Sequence, residues 1–259
     1  MDKGSFAGIF VAVAGIIAGL LIEGGNVGQI LQPTAALIVF GGTLGAVMLQ
    51  FPLRTVGAAF RKSVHAFTPP RKQHDHLIQM LISFANKARR NGVVSLDADL
   101  KAIQDPFLRQ ALMLAVDGTE SGDLRKIMQV SLDSMEETEE RLPAVFEAAG
   151  GFSPTVGILG AVLGLIQVMH HLDNMQEVGR GIAVAFVATV YGVGVANLFF
   201  LPLAGKLRLR IRADAMEREM MLEGVASILD GMNPRMLEVK LGGFIEEQNR
   251  DKSFAERAA

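Results

Sequence analysis

Ala148-Ala-Gly-Gly-Phe-Ser-Pro-Thr-Val-Gly-Ile-Leu-Gly-Ala-Val-Leu-Gly-Leu-Ile-Gln-Val-Met169 carries no charged side chain over 22 residues. Wound as an α-helix at about 1.5 Å per residue it reaches roughly 33 Å, enough to cross a hydrocarbon core of about 30 Å. Working outward, three more stretches qualify. Gly4 to Ile22 is 19 uncharged residues, Thr34 to Phe51 follows a turn at Pro33, and Gly181 to Gly205 is another 25. The reading is an all-α, polytopic membrane protein with four transmembrane helices and a helical cytoplasmic domain. The first stretch also has the look of a signal peptide, but it is longer than a usual h-region and a second span follows at once, so it reads as a retained span.

Composition agrees. The 259 residues are 50% apolar and only 20% charged, below the charge content of ordinary soluble domains. A formal net charge of −2 excludes a nucleic-acid binder driven by global charge. With no cysteine there is no disulfide frame, thiolate zinc site or cysteine nucleophile.

Orientation follows from Lys and Arg beside the spans. Arg54, Arg61, Lys62, Arg71 and Lys72 follow the second span, and Lys206, Arg208, Arg210 and Arg212 follow the fourth. The loop between spans one and two has neither, and that between three and four has Arg180 alone. Both termini and the middle segment therefore face the cytoplasm. The divisions are a hairpin over 4–52, a cytoplasmic helical domain over 53–147, a second hairpin over 148–205 and a cytoplasmic helix and tail over 206–259.

The middle segment reads as helices. His74 to Arg90 has helical apolar spacing and stops at Asn91-Gly92; Ser95 is placed to cap a short helix through Gln104; Asp105-Pro106 opens another, and Ser121 a long one. Pro143 should bend or restart that helix, because proline removes an N–H and crowds the preceding turn. Past the fourth span the helix continues until Gly231-Met-Asn-Pro234 ends it.

Glycines spaced at three or four, Gly15/Gly19, Gly41/Gly45 and Gly157/Gly160/Gly164, permit close helix approach, either within the chain or between copies. Spans three and four contain no Asp, Glu, Lys, Arg or His, although an ion path through hydrocarbon normally needs such a group. If the protein conducts protons, the titrating carboxylate comes from another chain. Ala161 and Thr189 each lie eight residues in from the outer ends of their spans, roughly 12 Å deep, and could face one wall. The Thr189 hydroxyl could equally bond back to its own helix. Pro154 and Pro202 match in depth as well, forming either a paired hinge or two static kinks.

Pro154-Thr-Val-Gly-Ile-Leu-Gly-Ala-Val-Leu-Gly-Leu165, Gly181-Ile-Ala-Val-Ala-Phe-Val-Ala-Thr-Val-Tyr-Gly192, Asn197-Leu-Phe-Phe-Leu-Pro-Leu-Ala-Gly-Lys-Leu207, Leu37-Ile-Val-Phe-Gly-Gly-Thr-Leu-Gly-Ala46 and Gly231-Met-Asn-Pro-Arg-Met236 resemble, in order, the MotA family of bacterial flagellar stators. The resemblance implies a homopentamer in lipid around two copies of MotB, a single-span subunit whose membrane aspartate carries the ion. It implies an ion path past Thr189, Ala161, Thr155 and Tyr191, and conformational-coupling prolines at Pro154 and Pro202. It also implies contact with the rotor protein FliG through Arg89, with Arg90 as a substitute, and Asp97, where many relatives carry Glu. Sodium-driven relatives tend to have threonine at the position of Ala161 as well as Thr189. A methyl at Ala161 implies H⁺ as the transported ion rather than Na⁺, with no cofactor.

A competing reading is a TolQ/ExbB-like proton-driven energiser of an outer-membrane system, but such proteins usually have three spans. A membrane enzyme is the third. No Gly-x-Ser-x-Gly elbow, His-Glu-x-x-His or intramembrane Asp pair appears, and the pairs His74/His76 and His170/His171 lack further ligands at metal spacing.

Overall fold

The computed structural model describes residues 3–67 and 74–244. The helices are α1 (Lys3–Ile22), α2 (Pro33–Gln50), α3 (Leu53–Ala66), α4 (His74–Asn91), α5 (Pro106–Val116), α6 (Ser121–His170), α7 (Met175–Val195) and α8 (Leu201–Leu229). Helical residues 234–244 follow, and no strand occurs among the described residues. Four of these helices are long and apolar enough to cross a membrane: α1, α2, α6, and α7 with its continuation into α8. Membrane-class hydropathy and helical periodicity therefore yield the all-α, four-span architecture expected of them.

The chain forms two compact units, Met1–Pro69 with Glu139–Leu209, and Pro70–Thr138 with Arg210–Ala259. These limits differ from the hydropathy boundaries because amphipathic α3 and the turn of α6 beginning at Glu139 pack with the apolar helices. Phe60 of α3 meets Phe146 edge to face at 5.3 Å, and Lys62 pairs with Glu139 at 3.4 Å.

Three local features refine the reading. Of the two outcomes expected at Pro143, a bend or a restart, the restart does not occur: α6 runs unbroken for 50 residues through Pro143 and Pro154. The surrounding turns continue despite the missing N–H, since packing outweighs one lost backbone bond. The short helix expected through Gln104 is present as a 3-10 helix over Val93–Ala102, and Ser95 does not cap it. The capping position is Gly92, whose φ of 81° only glycine adopts without strain, and the Ser95 hydroxyl donates back to the Gly92 carbonyl at 2.7 Å. Thirdly, Ala196–Phe200 is π-wound, a feature the hydropathy did not indicate.

In the second unit, α4, the 3-10 segment, α5, the first turns of α6, the end of α8 and the helical residues 234–244 share a core that includes Leu81, Phe84, Leu96, Phe107, Leu112, Met128, Val225 and Leu237. Its helix ends follow local chemistry. Asp105 caps α5 by accepting from the Leu108 amide at 2.9 Å, ahead of Pro106 at the first helical position. The Gly231-Met-Asn-Pro234 stretch closes α8 with Met232 N–H donating to Ser227 O at 3.0 Å. Asn233 then starts the next helix by accepting from the Arg235 amide at 3.0 Å.

Candidate functional site: the glycine-packed α6–α7 pair

In the first unit α6 and α7 run antiparallel along a seam of small residues. A Cβ added to Gly157 would lie 2.8 Å from Ala188 O, one on Gly164 2.7 Å from Gly181 O, and one on Gly192 2.5 Å from Ser153 O. These are backbone atoms that no rotamer change can move, so the two main chains touch. Of the two uses sequence left open for the Gly157/Gly160/Gly164 spacing, the described chain makes the one within itself.

α2 lies across this pair. Gly160 meets both Ile38 and Ala188, and Gly42 meets Val156, while Ala35, Val39, Val187 and Ala188 form one buried cluster.

The polar side chains of the seam are mostly committed to backbone. Thr189 Oγ1 donates to Ala185 O at 3.3 Å, the local bond that sequence offered as an alternative, and its Cα stands against Gly157, one turn from Ala161. Thr155 Oγ1 donates to Phe152 O at 2.7 Å and Asn197 Nδ2 to Val193 O at 2.9 Å. Tyr191 reaches out of the pair. Its hydroxyl donates to Ile30 O at 2.6 Å, accepts from the Gln32 amide at 3.4 Å, and its ring lies 6.1 Å from Phe40. The side chain thereby ties the loop between α1 and α2 to α7. Ser153, beside Pro154, is fully buried with no partner for its hydroxyl among the described residues.

The two prolines stand in different backbones. Pro154 sits within continuous α6, whereas Pro202 follows the π-turn, in which the Leu201 amide donates to Ala196 O instead of to an α-helical partner. π-turns of this kind concentrate at functional positions.

Arg89 and Arg90 occupy the last turn of α4, and Asp97 lies in the 3-10 segment beyond Gly92; all three are exposed. Leu96, buried between them in sequence, anchors this corner to the core, and Lys87 pairs with Asp99 at 2.6 Å across it. That clamp was missed in the sequence, although the two opposite charges flank the turn. A second ionic cluster joins residues about a hundred positions apart. Arg125 Nη2 stands 3.0 Å from Glu223 and 3.3 Å from Asp230. Lys240 also binds Glu223 and donates to the fully buried Ser227 hydroxyl at 3.1 Å. The hydrogen bond to Glu223 raises the Arg125 guanidinium. Burial pushes the Glu223 carboxyl up, but the bonds from Arg125 and Lys240 outweigh it and the net displacement is downward. Hydrogen bonds from Ser121 and Arg125 lower Asp230. Among the described residues no three metal-ligating side chains gather; His74 belongs to α4, but its side chain lies outside the described set.

Residues 99–220 match the MotA/TolQ/ExbB proton channel family, and residues 6–92 match the motility protein A N-terminal family. Motility protein A of Bacillus subtilis is 36% identical over 99% of this chain and 95% of its own length. The structure of C. jejuni MotAB superposes with a TM-score of 0.88 at 32% identity, covering 94% of this chain and 96% of that one. The flagellar MotAB stator complex from Bacillus subtilis gives 0.86 at 34% identity over 97% and 99%. With both halves of the chain matched and full-length relatives above 30% identity, the chain belongs to the MotA/TolQ/ExbB proton channel family, among its motility protein A members.

Proposed function

We propose that this chain is a stator subunit of the bacterial flagellar motor which, with a MotB-like partner, couples ion flow across the inner membrane to torque on the rotor. One observation carries the reading. α6 and α7 form a close-packed wall with no Asp, Glu, Lys, Arg or His across the span, and the hydroxyls of Thr155, Thr189 and Tyr191 all donate to backbone carbonyls. Such a wall guides an ion without carrying it. The carrier is a carboxylate on the partner, in keeping with relatives solved as MotAB complexes.

Protonating that carboxylate removes a charge that is costly in hydrocarbon and changes which wall it prefers. In a pentamer of these chains around two partner helices, successive protonation and release step the ring past the partner. Each proton supplies about 2.3 kcal/mol per 100 mV, sufficient to bias states a few kcal/mol apart. Thr189, Ala161, Thr155 and Tyr191 border the path, and Pro154 and Pro202 let the walls flex. Arg89, Arg90 and Asp97 pass the step to FliG, supported by their exposure on a corner anchored by Leu96 and clamped by Lys87 and Asp99. Cytoplasmic termini are supported by Ser5, at the start of α1, which hydrogen-bonds Lys206 just after the fourth span. The ion is H⁺: with Ala161 a methyl and Thr189 bonded to its own helix, few oxygens are left to replace the hydration shell of Na⁺.

The test is swimming speed against external Na⁺ at fixed pH in a strain whose stator is this chain with its partner. The expected result is swimming independent of Na⁺ and abolished by a protonophore. Sodium-dependent, protonophore-insensitive swimming overturns the ion assignment. Loss of outer-membrane integrity with intact swimming on deletion overturns the motor role.

A further inference from the structure

Asn197 is the second residue of the π-turn, and it precedes Lys206, at the cytoplasmic end of the fourth span, by nine residues or roughly 13 Å. Its side chain is exposed. A carboxamide carries two N–H donors and an oxygen acceptor. One N–H of Asn197 reaches Val193 O at 2.9 Å; the other N–H and the oxygen have no partner among the described residues. The backbone oxygen is unclaimed as well. Leu201 N–H goes to Ala196 O, and Pro202, next in line, has no N–H to give to Asn197 O. Two oxygens and an N–H of one residue are thus left for something outside the helix, at a depth where lipid tails offer no hydrogen bond.

Oxygens need donors, and a second copy of this chain has almost none to present there. α1 has no polar side chain from Phe6 to Ile22. Thr43 and Ser153 are buried, while Thr155, Thr189 and Tyr191 have each given their hydrogen to a backbone carbonyl. The remaining donors of the spans, apart from Asn197 itself, stand near the span ends. Water fits: it supplies two hydrogens, accepts one, and is held where two to four polar partners converge. It is also one of the means by which a proline-freed carbonyl is satisfied inside a membrane. Thr189, Val193 and Asn197 follow one another at four-residue steps along one ridge of the helix, with Asn197 about 12 Å to the cytoplasmic side of Thr189. From Val190 to Gly205 the only other polar side chain is Tyr191, and its hydroxyl is turned to Ile30. An apolar constriction of such length sheds water unless something polar retains it.

We propose that Asn197 holds a water in the cytoplasmic half of the ion path, through which a proton released beside Thr189 leaves for the cytoplasm. This rests on the stator reading above and adds an exit to it. The water takes up a proton on its outer side and gives one up on its inner side, while the carboxamide neither gains nor loses one. Asn197 is a positioning residue: it sets the rate at which protons leave and not the work each one delivers.

Single motors driven by one complex of the full chain with its partner would be followed with a large bead, near stall, and with a small bead, at almost no load. Near stall the torque is set by the free energy of each ion; at low load the speed is limited by how fast ions pass. Asn197→Leu keeps the side-chain volume and removes the polar atoms. The proposal expects at least a twofold loss of low-load speed with torque near stall unchanged, and recovery of most of the speed in Asn197→Ser, whose hydroxyl oxygen still accepts from water. Unchanged low-load speed in Asn197→Leu overturns the proposal. Equal losses at both loads overturn it too, because they mean the residue serves packing. If Asn197→Leu does not assemble with the partner, Asn197→Ala, which adds no bulk, decides by the same comparison: a low-load loss at full stall torque supports the proposal, and any other result overturns it, failed assembly included, since the amide would then be bonded to another chain. An unsubstituted complex that turns no motor overturns the stator reading itself, and the proposal with it.

Discussion

Gly192→Ala adds one methyl group at the tightest point of the α6–α7 seam. Its carbon would stand 2.5 Å from Ser153 O, 3.0 Å from Gly157 Cα and 3.2 Å from Pro154 Cα, where ordinary contacts begin at 3.4 Å. All three neighbours are backbone, so α6 must withdraw by the better part of an ångström. Overpacking of this kind costs about 1–3 kcal/mol, and the better helix propensity of alanine returns up to about 1 kcal/mol. The net expectation is a loss of roughly 1–2 kcal/mol. Gly194→Ala, two residues along the same helix with nothing within 4 Å of the new methyl, is the control, since it receives the propensity gain without the clash. Thermal unfolding of the purified stator complex, followed by circular dichroism, should show a lower midpoint for the first variant and an unchanged or higher one for the second. On the proposed function, soft-agar swimming should fall for Gly192→Ala alone, because widening the seam would displace the wall assigned to the ion path. Indistinguishable melting of the Gly192→Ala and unsubstituted complexes would refute the close-contact argument.

Ser153→Ala removes a buried hydroxyl that has no partner among the described residues, so it should raise the unfolding midpoint by an amount equivalent to about 1 kcal/mol; a destabilised variant would mean the hydroxyl is bonded in the assembled complex. Tyr191→Phe strips the donor to Ile30 O and the acceptor for the Gln32 amide. It should cost about 1 kcal/mol or more and speed proteolysis in the loop between α1 and α2, with unchanged cleavage as the contrary result. Glu223 is held below its ordinary carboxyl range, so its contribution is complete above that range and disappears as pH falls through the lowered folded value. An acid titration should therefore show the unsubstituted complex losing stability below about pH 4, and Glu223→Gln should flatten that acid limb; parallel limbs would dismiss the linkage.

Helix punctuation was the most legible part of the sequence, because its causes are local. Asn91-Gly92, Asp105-Pro106 and Gly231-Met-Asn-Pro234 each specify an end through one backbone conformation or one side-chain bond, and each ends or starts a helix as expected. The four spans were legible from hydropathy for the same reason. What escaped depends on distant partners. Nothing near Pro143 announces that α6 will continue through it, since the support comes from contacts such as Phe60 on Phe146. Arg125, Glu223 and Lys240 look like solvated surface charges until the fold brings them together. At the site, the composition of the wall was legible but not how its polar atoms are used: Tyr191 serves the loop at Ile30, a contact 161 residues away in sequence.

The two prolines looked equivalent by depth, yet of the two Pro202 alone borders irregular winding. Removing an N–H at Pro202 leaves the helix one donor short, and the chain responds by winding Ala196–Phe200 as a π-turn. A π-turn is in effect one extra residue in an α-helix, so it offsets every downstream side chain by about 100°. Beyond it, Ala204 and Leu207 are buried at 1% and 0% exposure, and Arg208 pairs with Glu147 at 2.6 Å. Deleting Phe199 would remove the extra residue and close the turn to α-helical winding, which leaves Ala204, Leu207 and Arg208 on the faces they now occupy. Phe199→Ala would keep the π-turn while removing only a partly exposed ring. On the proposal that the π-turn lets the wall flex, the deletion should keep assembly with the partner but lose swimming, and the substitution should retain most of both. A deletion strain that swims normally would show that the wide turn has no bearing on the motor.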